Sequence, residues 1–343
     1  MLNTVTTSLP LSITCFIVAA IAIALAGIRL TRVADKLADK TGWGEALVGA
    51  IFLGGSTSLP GIITSVTAAL DGRPSLAVSN AVGGIAAQTV FLALADLTYP
   101  KANLEHAAAS VANLTQGTLL ITLLAVPLLA MFNPAVTLYG VHPASILLIV
   151  GYIFGLRLVS QAKTKPMWSP EDTEDTQVDE AAEEVSDSML SLWLQFLPLM
   201  LVIGSAGYVV AKTGGAIASQ TGLSETVVGS MLTAISTSLP ELVTAIAAVQ
   251  QGALTLAIGD IIGGNCFDVL FVAFADIAYS GGSIYHAISG REGFIIALTI
   301  LMTGSLLLGL LRRERYGIGK IGFESFLIIM LYVGGVIIVF STQ

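Results

Sequence analysis

The sequence predicts an all-α polytopic membrane protein, with ten transmembrane helices arranged as two inverted five-helix repeats. Three observations predict it. First, of 343 residues, 55% are hydrophobic and 11% charged, with a mean hydropathy of +0.85, whereas soluble proteins carry about a quarter charged residues. That composition excludes most soluble enzymes, disordered chains and nucleic-acid binders. Second, apolar stretches matching the roughly 20 residues a bilayer core requires recur ten times. Third, the second half of the chain repeats the first at a fixed offset of 180 residues.

The spans fall near 9–30, 45–70, 74–98, 113–132 and 143–161, then near 189–211, 224–250, 254–279, 292–311 and 321–340. No basic residue precedes the first, and Arg29 and Arg32 follow it. A signal peptide has the reverse flank, so this reads as a retained helix with its N-terminus outside. Counting connections from there puts 12 of the 15 Lys and Arg residues inside and only Arg73, Lys212 and Arg291 outside, a strong positive-inside bias. Both termini are then outside, and the expected location is a bacterial inner membrane. Thirty-five glycines suit close helix packing in lipid. Cys15 and Cys266 lie in apolar runs and make no disulfide framework; Cys266 reads as a small core residue.

The long polar stretch, 162–188, lies inside on this count and divides the chain into units 1–161 and 189–343. It carries nine acids and, after Lys165, no Lys or Arg. These acids account for the formal charge of −8; without them the chain is nearly neutral. The stretch reads as a solvated linker, since it lacks the glycine and ligand spacing of an EF-hand loop.

The repeats cover about 45–99 and 225–279, with 20 identities in 55 positions. Ser56-Thr57-Ser58-Leu59-Pro60 falls on Ser236-Thr237-Ser238-Leu239-Pro240, Gly83-Gly84 on Gly263-Gly264, Asp96 on Asp276 and His106 on His286. Five spans is an odd number, so the second half enters the membrane from the opposite side. Inverted repeats of this kind build secondary transporters, with a midplane site where interrupted helices meet.

Pro60 and Pro240 sit mid-span, where each removes an N–H and frees a carbonyl near Ser56 or Ser236. Such a carbonyl needs a partner in lipid. The hydroxyls of Thr57, Ser58, Thr237 and Ser238 add hard oxygen ligands, and Glu241 and Asp268 add carboxylates. An acid at the bilayer centre costs about 2.5–3.5 kcal/mol on insertion scales, so both acids need a function. Oxygen ligands without His or Cys suit Na⁺, Ca²⁺ or another hard cation, rather than Zn²⁺ or copper.

These blocks resemble the α-repeats of the calcium/cation antiporter superfamily, which includes the sodium/calcium exchangers. Its pattern is Thr-Ser-Leu-Pro-Glu followed in the next helix by Gly-Ser-Asn and then Asn or Asp. The resemblance implies a sodium/calcium exchanger-like fold. It also implies a transported-cation site lined by Thr57, Ser58, Gly84 and Gln88 from the first repeat and by Thr237, Ser238, Glu241, Gly264 and Asp268 from the second. The chain departs from the pattern. Gly61 stands where the family has a glutamate, Gly84 and Gly264 replace serines, Ile85 replaces an asparagine kept as Asn265, and Gln88 stands for Asn or Asp. The divergent first half has lost its carboxylate.

The function these features imply is secondary active antiport. Ca²⁺ or a similar hard cation exchanges for Na⁺ or H⁺ by alternating access, with no cofactor and with inorganic cations and the lipid bilayer as partners. Glu241 and Asp268 supply at most two negative charges, which suits electroneutral or weakly electrogenic exchange. The alternatives are a monovalent cation/proton exchanger, a carrier of another solute on the same fold and, less favoured, a channel or ion sensor. No P-loop, HExxH or GxSxG arrangement supports a pump or an enzyme. Asp96 and Asp276 end spans at helix C-termini, where the dipole disfavours acids, and are expected to be interfacial and hydrated or to line entry paths. Asp260 aligns with Asn80 and suits a supporting or proton-binding role. Glu45 and Glu225 read as structural. His106 and His286 are expected in connecting loops.

Overall fold

The computed structural model describes residues 8–41, 54–99, 103–164, 166–171, 187–315 and 322–342. Glu45, Val48, Gly49 and all of the linker acids except Glu171 and Asp187 lie outside these ranges. The described residues are helical apart from turns and one isolated bridge, Leu138 to Val141.

In the first half, α1 (Leu9–Thr41), α2 (Leu59–Leu70), α3 (Pro74–Asp96), the short α4 (Leu104–Ala107), α5 (Val111–Phe132) and α6 (Pro143–Thr164) follow in order. The second half contains α7 (Met189–Thr221), α8 (Glu225–Thr237), α9 (Leu239–Gln251), α10 (Leu254–Asp268), α11 (Leu270–Ala278), the short α12 (Ile284–Ala287), α13 (Gly290–Arg312) and α14 (Phe323–Ser341). Among the described residues eight helices are long and apolar enough to span a bilayer, and the bent pair α8–α9 makes a ninth. The short apolar α2 is the described part of the remaining span.

Two spans run well beyond the bounds the sequence suggests. Helices α1 and α7 each run 33 residues, because their final turns stay amphipathic beyond the apolar stretch. Ser188 caps α7 by accepting from the Ser191 N–H, and Gly222, at φ +77°, ends it in the left-handed conformation that glycine adopts without strain.

Helix α3 is the axis of the molecule: 94% of its apolar window is buried, so it is apolar all round rather than on one face. Helices α10 and α11 are the next most enclosed. The outer helices instead present stripes to lipid, such as Leu190, Leu194, Leu197 and Leu201 on α7 and Met330, Val333 and Ile337 on α14.

Glycines set the close crossings. A Cβ on Gly83 would lie 2.5 Å from Ser230 Cα, and one on Gly229 would lie 2.7 Å from Ser79 Cβ. Helices α3 and α8 therefore pass backbone to backbone. The long helices cross the proline breaks symmetrically: Gly27 of α1 lies against Pro240, and its repeat counterpart Gly207 of α7 lies against Pro60, where a Cβ would meet the Pro60 carbonyl oxygen at 2.8 Å.

Both ends of the bundle are pinned by charge. Lys36 meets Asp187 at 2.7 Å at the linker end, holding that exposed carboxyl below its usual range. Lys212 meets Asp71 and Arg73 meets Glu225, each at 2.6 Å, at the opposite end. Glu225 is thus structural, as expected.

Asp96 and Asp276 are not hydrated interfacial groups: both are fully buried. Asp96 accepts from the Leu104 N–H (2.7 Å) and the Gly322 N–H (3.2 Å). Asp276 accepts from the Ile284 N–H (2.9 Å) and the His142 N–H (2.8 Å). Each carboxylate serves as the missing partner for helix-start donors, and that long-range pairing has no local sequence signal. His106 and His286 sit in α4 and α12 between spans, each against a backbone carbonyl, of Arg313 and Asn133 respectively.

Candidate functional site

The two Thr-Ser-Leu-Pro blocks break their helices at the serine. Ser58 (φ −83°, ψ 3°) and Ser238 (φ −102°, ψ 8°) leave helical geometry, and Pro60 and Pro240 then occupy the first turns of α2 and α9, where a missing N–H is harmless. The axis bends by 49° between α8 and α9. The breaks expose polar groups at the middle of the bundle, on either side of α3.

Asp268 is the hub. It is 3% exposed. Ser58 Oγ donates to its Oδ1 at 2.6 Å and Gln88 Nε2 to its Oδ2 at 2.8 Å. Gln88 Nε2 also lies 3.1 Å from Ser238 Oγ. One acid of the second repeat is therefore held by two side chains of the first. The neighbouring Glu241 Oε2 and Gln88 Oε1 are buried and find no hydrogen-bond donor among the described residues. Two orphaned oxygens beside a carboxylate are costly unless a cation or proton fills the space.

That space is a void of about 10 Å³ lined by Ser58, Gly84, Gln88, Thr237, Ser238, Glu241 and Asp268, among others. It is close to the volume one water-sized particle requires. Glu241, Gln88 and Ser58 also face a larger cavity of about 210 Å³. This cavity runs past Gly264, Gln116, Tyr152 and Asp260 to Leu156 and Ala257, toward the ends of α6, α9 and α10 that lie on the linker side. Ser58, Gln88 and Glu241 line both the void and this cavity.

The residues singled out in the sequence occupy distinct places. Thr237 lines the void and Thr57 the cavity, and their hydroxyls also donate to the Ala234 and Gly54 carbonyls. A Cβ on Gly84 would sit 3.4 Å from Ser238 Oγ, and one on Gly264 3.9 Å from Gln88 Oε1, so both glycines border the polar groups. Ser56 and Ser236 are buried in the turn before each break and line neither space. Cys266 is buried in the core, with its thiol toward the Gln116 carbonyl.

The structure adds residues that sequence reasoning passed over. Asn80 donates to Ser65 Oγ (2.9 Å) and the Gly61 carbonyl (3.3 Å), tying α3 to α2 beside the void. Gln116 and Tyr152 line the cavity from α5 and α6; Gln116 was detectable as an amide in an apolar span. Phe271 had no such signal. Its ring occupies the position a side chain at residue 61 would take: a Cβ on Gly61 would meet Phe271 Cε2 at 2.5 Å. An aromatic edge thus fills the space that a carboxylate stem would need. Among the described residues no three His, Cys, Asp or Glu side chains are grouped to hold a metal ion. A cation at the void would therefore rely on two carboxylates and neutral oxygens.

The family model for the sodium/calcium exchanger protein matches residues 11–161 and 190–341. The chain is 29% identical over 314 residues to the putative antiporter CaxA of Alkalimonas amylolytica, covering 90% of this chain and 92% of that protein. Among solved structures it resembles native YfkE, with a TM-score of 0.65 at 15% identity over 99% of both chains. It also resembles the H⁺/Ca²⁺ exchanger CAX, with a TM-score of 0.63 at 12% identity over 96% of this chain and 85% of that one.

Proposed function

The chain belongs to the sodium/calcium exchanger protein family, and from that premise we propose that it exchanges Ca²⁺ or a similar hard cation for Na⁺ or H⁺ at the Asp268–Glu241 void. Membership makes it an integral membrane cation antiporter; the ion pair and the ligands are the further step. The observation that carries it is the convergence of Asp268 and Glu241 with Ser58, Gln88 and Ser238 around a void with unsatisfied oxygens. Thr57, Thr237, Gly84 and Gly264 border it. The units 1–161 and 189–343, joined by the linker 162–188, each contribute one broken helix. The positive-inside count supports an inner-membrane protein with a cytoplasmic linker, and the cavity then lies on the cytoplasmic side of the void.

In alternating-access antiport only the loaded site crosses; an empty site, with its carboxylate charge uncompensated in lipid, does not. Glu241 and Asp268 bring two negative charges, which one divalent ion, two Na⁺ or two protons neutralise. Gly61 and Phe271 exclude a third carboxylate, which favours exchange that is electroneutral or nearly so. The same loss of charge favours monovalent cation/proton exchange as the second reading. The test is flux in proteoliposomes loaded with Na⁺ or with acid, comparing Ca²⁺, Mg²⁺, Mn²⁺, K⁺ and Na⁺ as the counter-ion. Divalent flux driven by either gradient supports the first reading, K⁺ or Na⁺ flux against protons alone supports the second, and no gradient-driven flux refutes both.

A further inference from the structure

The buried aspartates at the two ends of the bundle are related by the 180-residue offset, and so is everything around them. Asp96, Leu104, Glu105, Gly322, Glu324 and Ser325 at the linker end correspond to Asp276, Ile284, Tyr285, His142, Ala144 and Ser145 at the other. The bracing is the same in both: each aspartate accepts one N–H from the short helix after its span and one from the start of the fifth span of a half.

The second polar layer differs. At the far end Ser145 Oγ donates to Asp276 at 2.7 Å, so the Tyr285 hydroxyl, 2.8 Å away, donates to Ser145. Every group there is satisfied with a single carboxylate. At the linker end Ser325 Oγ donates to Glu105 Oε1 at 3.0 Å, and Glu324 replaces the small Ala144. Glu105 and Glu324 are 1% and 0% exposed. Glu105 Oε2 and both Glu324 oxygens are buried with no donor among the described residues. Both carboxylates border Gly322, where a Cβ would lie 3.3 Å from Glu105 Oε2 and closer still to Glu324 Oε1. A Cβ on Gly309 would meet Glu324 Cδ at 2.6 Å. Two glycines thus hold open the space for a pair of acids that the mirror end does without.

We propose that Glu105 and Glu324 form a proton-binding site at the linker-side junction of α3, α4 and α14, in which the O–H of one carboxylic acid is donated to the other carboxylate. The shared proton supplies the missing donor and leaves the pair with one negative charge instead of two. A metal fits less well. Both Asp96 oxygens are already occupied by N–H donors, and no three acids are grouped to hold an ion among the described residues.

The charged neighbours agree. Asp96 from α3 and Glu314 after α13 add negative charge, while Arg312 from the end of α13 pairs with Glu314 at 3.3 Å. The Arg313 guanidinium is turned away, to the carbonyls of His106 and Glu171, and the latter contact places the cluster beside the linker. Burial, then Asp96 and Glu324, push the Glu105 carboxyl up from 4.5 to about 8. The folded protein therefore holds a proton between these values that the unfolded chain releases. The contribution of Glu105 to folded-state stability declines as pH rises through that window. Near neutral pH the junction sits on the slope, so it responds to pH on the linker face.

The experiment uses the full chain in nanodiscs in a Glu241→Gln background, so that the cation void contributes one fewer carboxyl group. Infrared difference spectra across about 8 are compared for Glu105, for Glu105→Gln, and for Glu105→Tyr/Glu324→Ala, which rebuilds the constellation of the mirror end. The expected result is a protonated-carboxyl band lost with rising pH in the first and absent from both variants, with the decline in melting temperature over the same window flattened. An unchanged band and melting profile in the variants overturns the proposal. So does displacement of the band by Ca²⁺ or Mg²⁺ at constant pH, which assigns the pair to a metal.

Discussion

At the scale of single residues, the candidate site divides into charge carriers and the groups that orient them. Glu241 has a buried oxygen without a donor among the described residues, so Glu241→Gln removes charge and little packing. Cation flux is expected to fall to the background of protein-free vesicles while the melting temperature is kept. Ser58 acts through Asp268, at 2.6 Å. Ser58→Ala should weaken cation affinity about 10–100-fold, as loss of a ligand-orienting hydrogen bond does elsewhere, read as a rise in the half-saturating cation concentration with maximal flux less affected. The glycine at 61 supplies a sharper test. Gly61→Glu alone collides with Phe271 and is expected to destabilise the protein. Gly61→Glu/Phe271→Ala makes room for a second-half-like carboxylate in the first half, and should increase the dependence of flux on membrane potential. A double variant that folds yet shows unchanged voltage dependence would count against the role given to the missing acid.

Elements position these residues, and their crossings rest on glycine. Gly83→Ala drives a methyl into the Ser230 backbone at 2.5 Å. The loss expected from overpacking is about 1–3 kcal/mol, measurable by thermal unfolding in detergent. Gly290→Ala, with nothing within 4 Å of its Cβ, is the silent control. The sequence made these elements readable wherever one residue type has a local meaning. Proline after serine marked the breaks, acids within apolar spans marked Asp268 and Glu241, and the glycine pairs marked close approach. It did not reveal pairings across the fold. An acid at a helix C-terminus is unfavourable in isolation, so the sequence suggests a hydrated group or an entry-path lining at Asp96 and Asp276, but their partners lie far away in the chain, at the starts of other helices. Phe271 was invisible for the same reason: an aromatic residue in a membrane span says nothing of which glycine it covers.

For the whole molecule, the repeat was the most legible feature, since an offset of 180 residues relates sequence blocks, helix breaks, the Gly27–Pro240 and Gly207–Pro60 crossings and both aspartate braces. Function resides in the departures from that symmetry. The acids of the void come from the second half, and an extra pair of acids lies at the linker end. The cavity lined by Glu241, Asp260 and Leu156 lies on the linker side of the void, where the access path of one end state of alternating access is expected. Cysteines placed at Ala248 and Ala257 along that path, in a chain lacking Cys15 and Cys266, should react with an impermeant thiol reagent added on the linker side and be spared when it is added on the other.

The most direct test is Ca²⁺ uptake into proteoliposomes carrying an outward Na⁺ or proton gradient, with wild type and Glu241→Gln compared at several clamped membrane potentials. The expected result is gradient-driven uptake by the wild type that changes little with potential, and none by the variant. Wild-type flux in Glu241→Gln, uptake that steepens strongly with potential, or no gradient-driven uptake at all would contradict exchange at a site of two carboxylates.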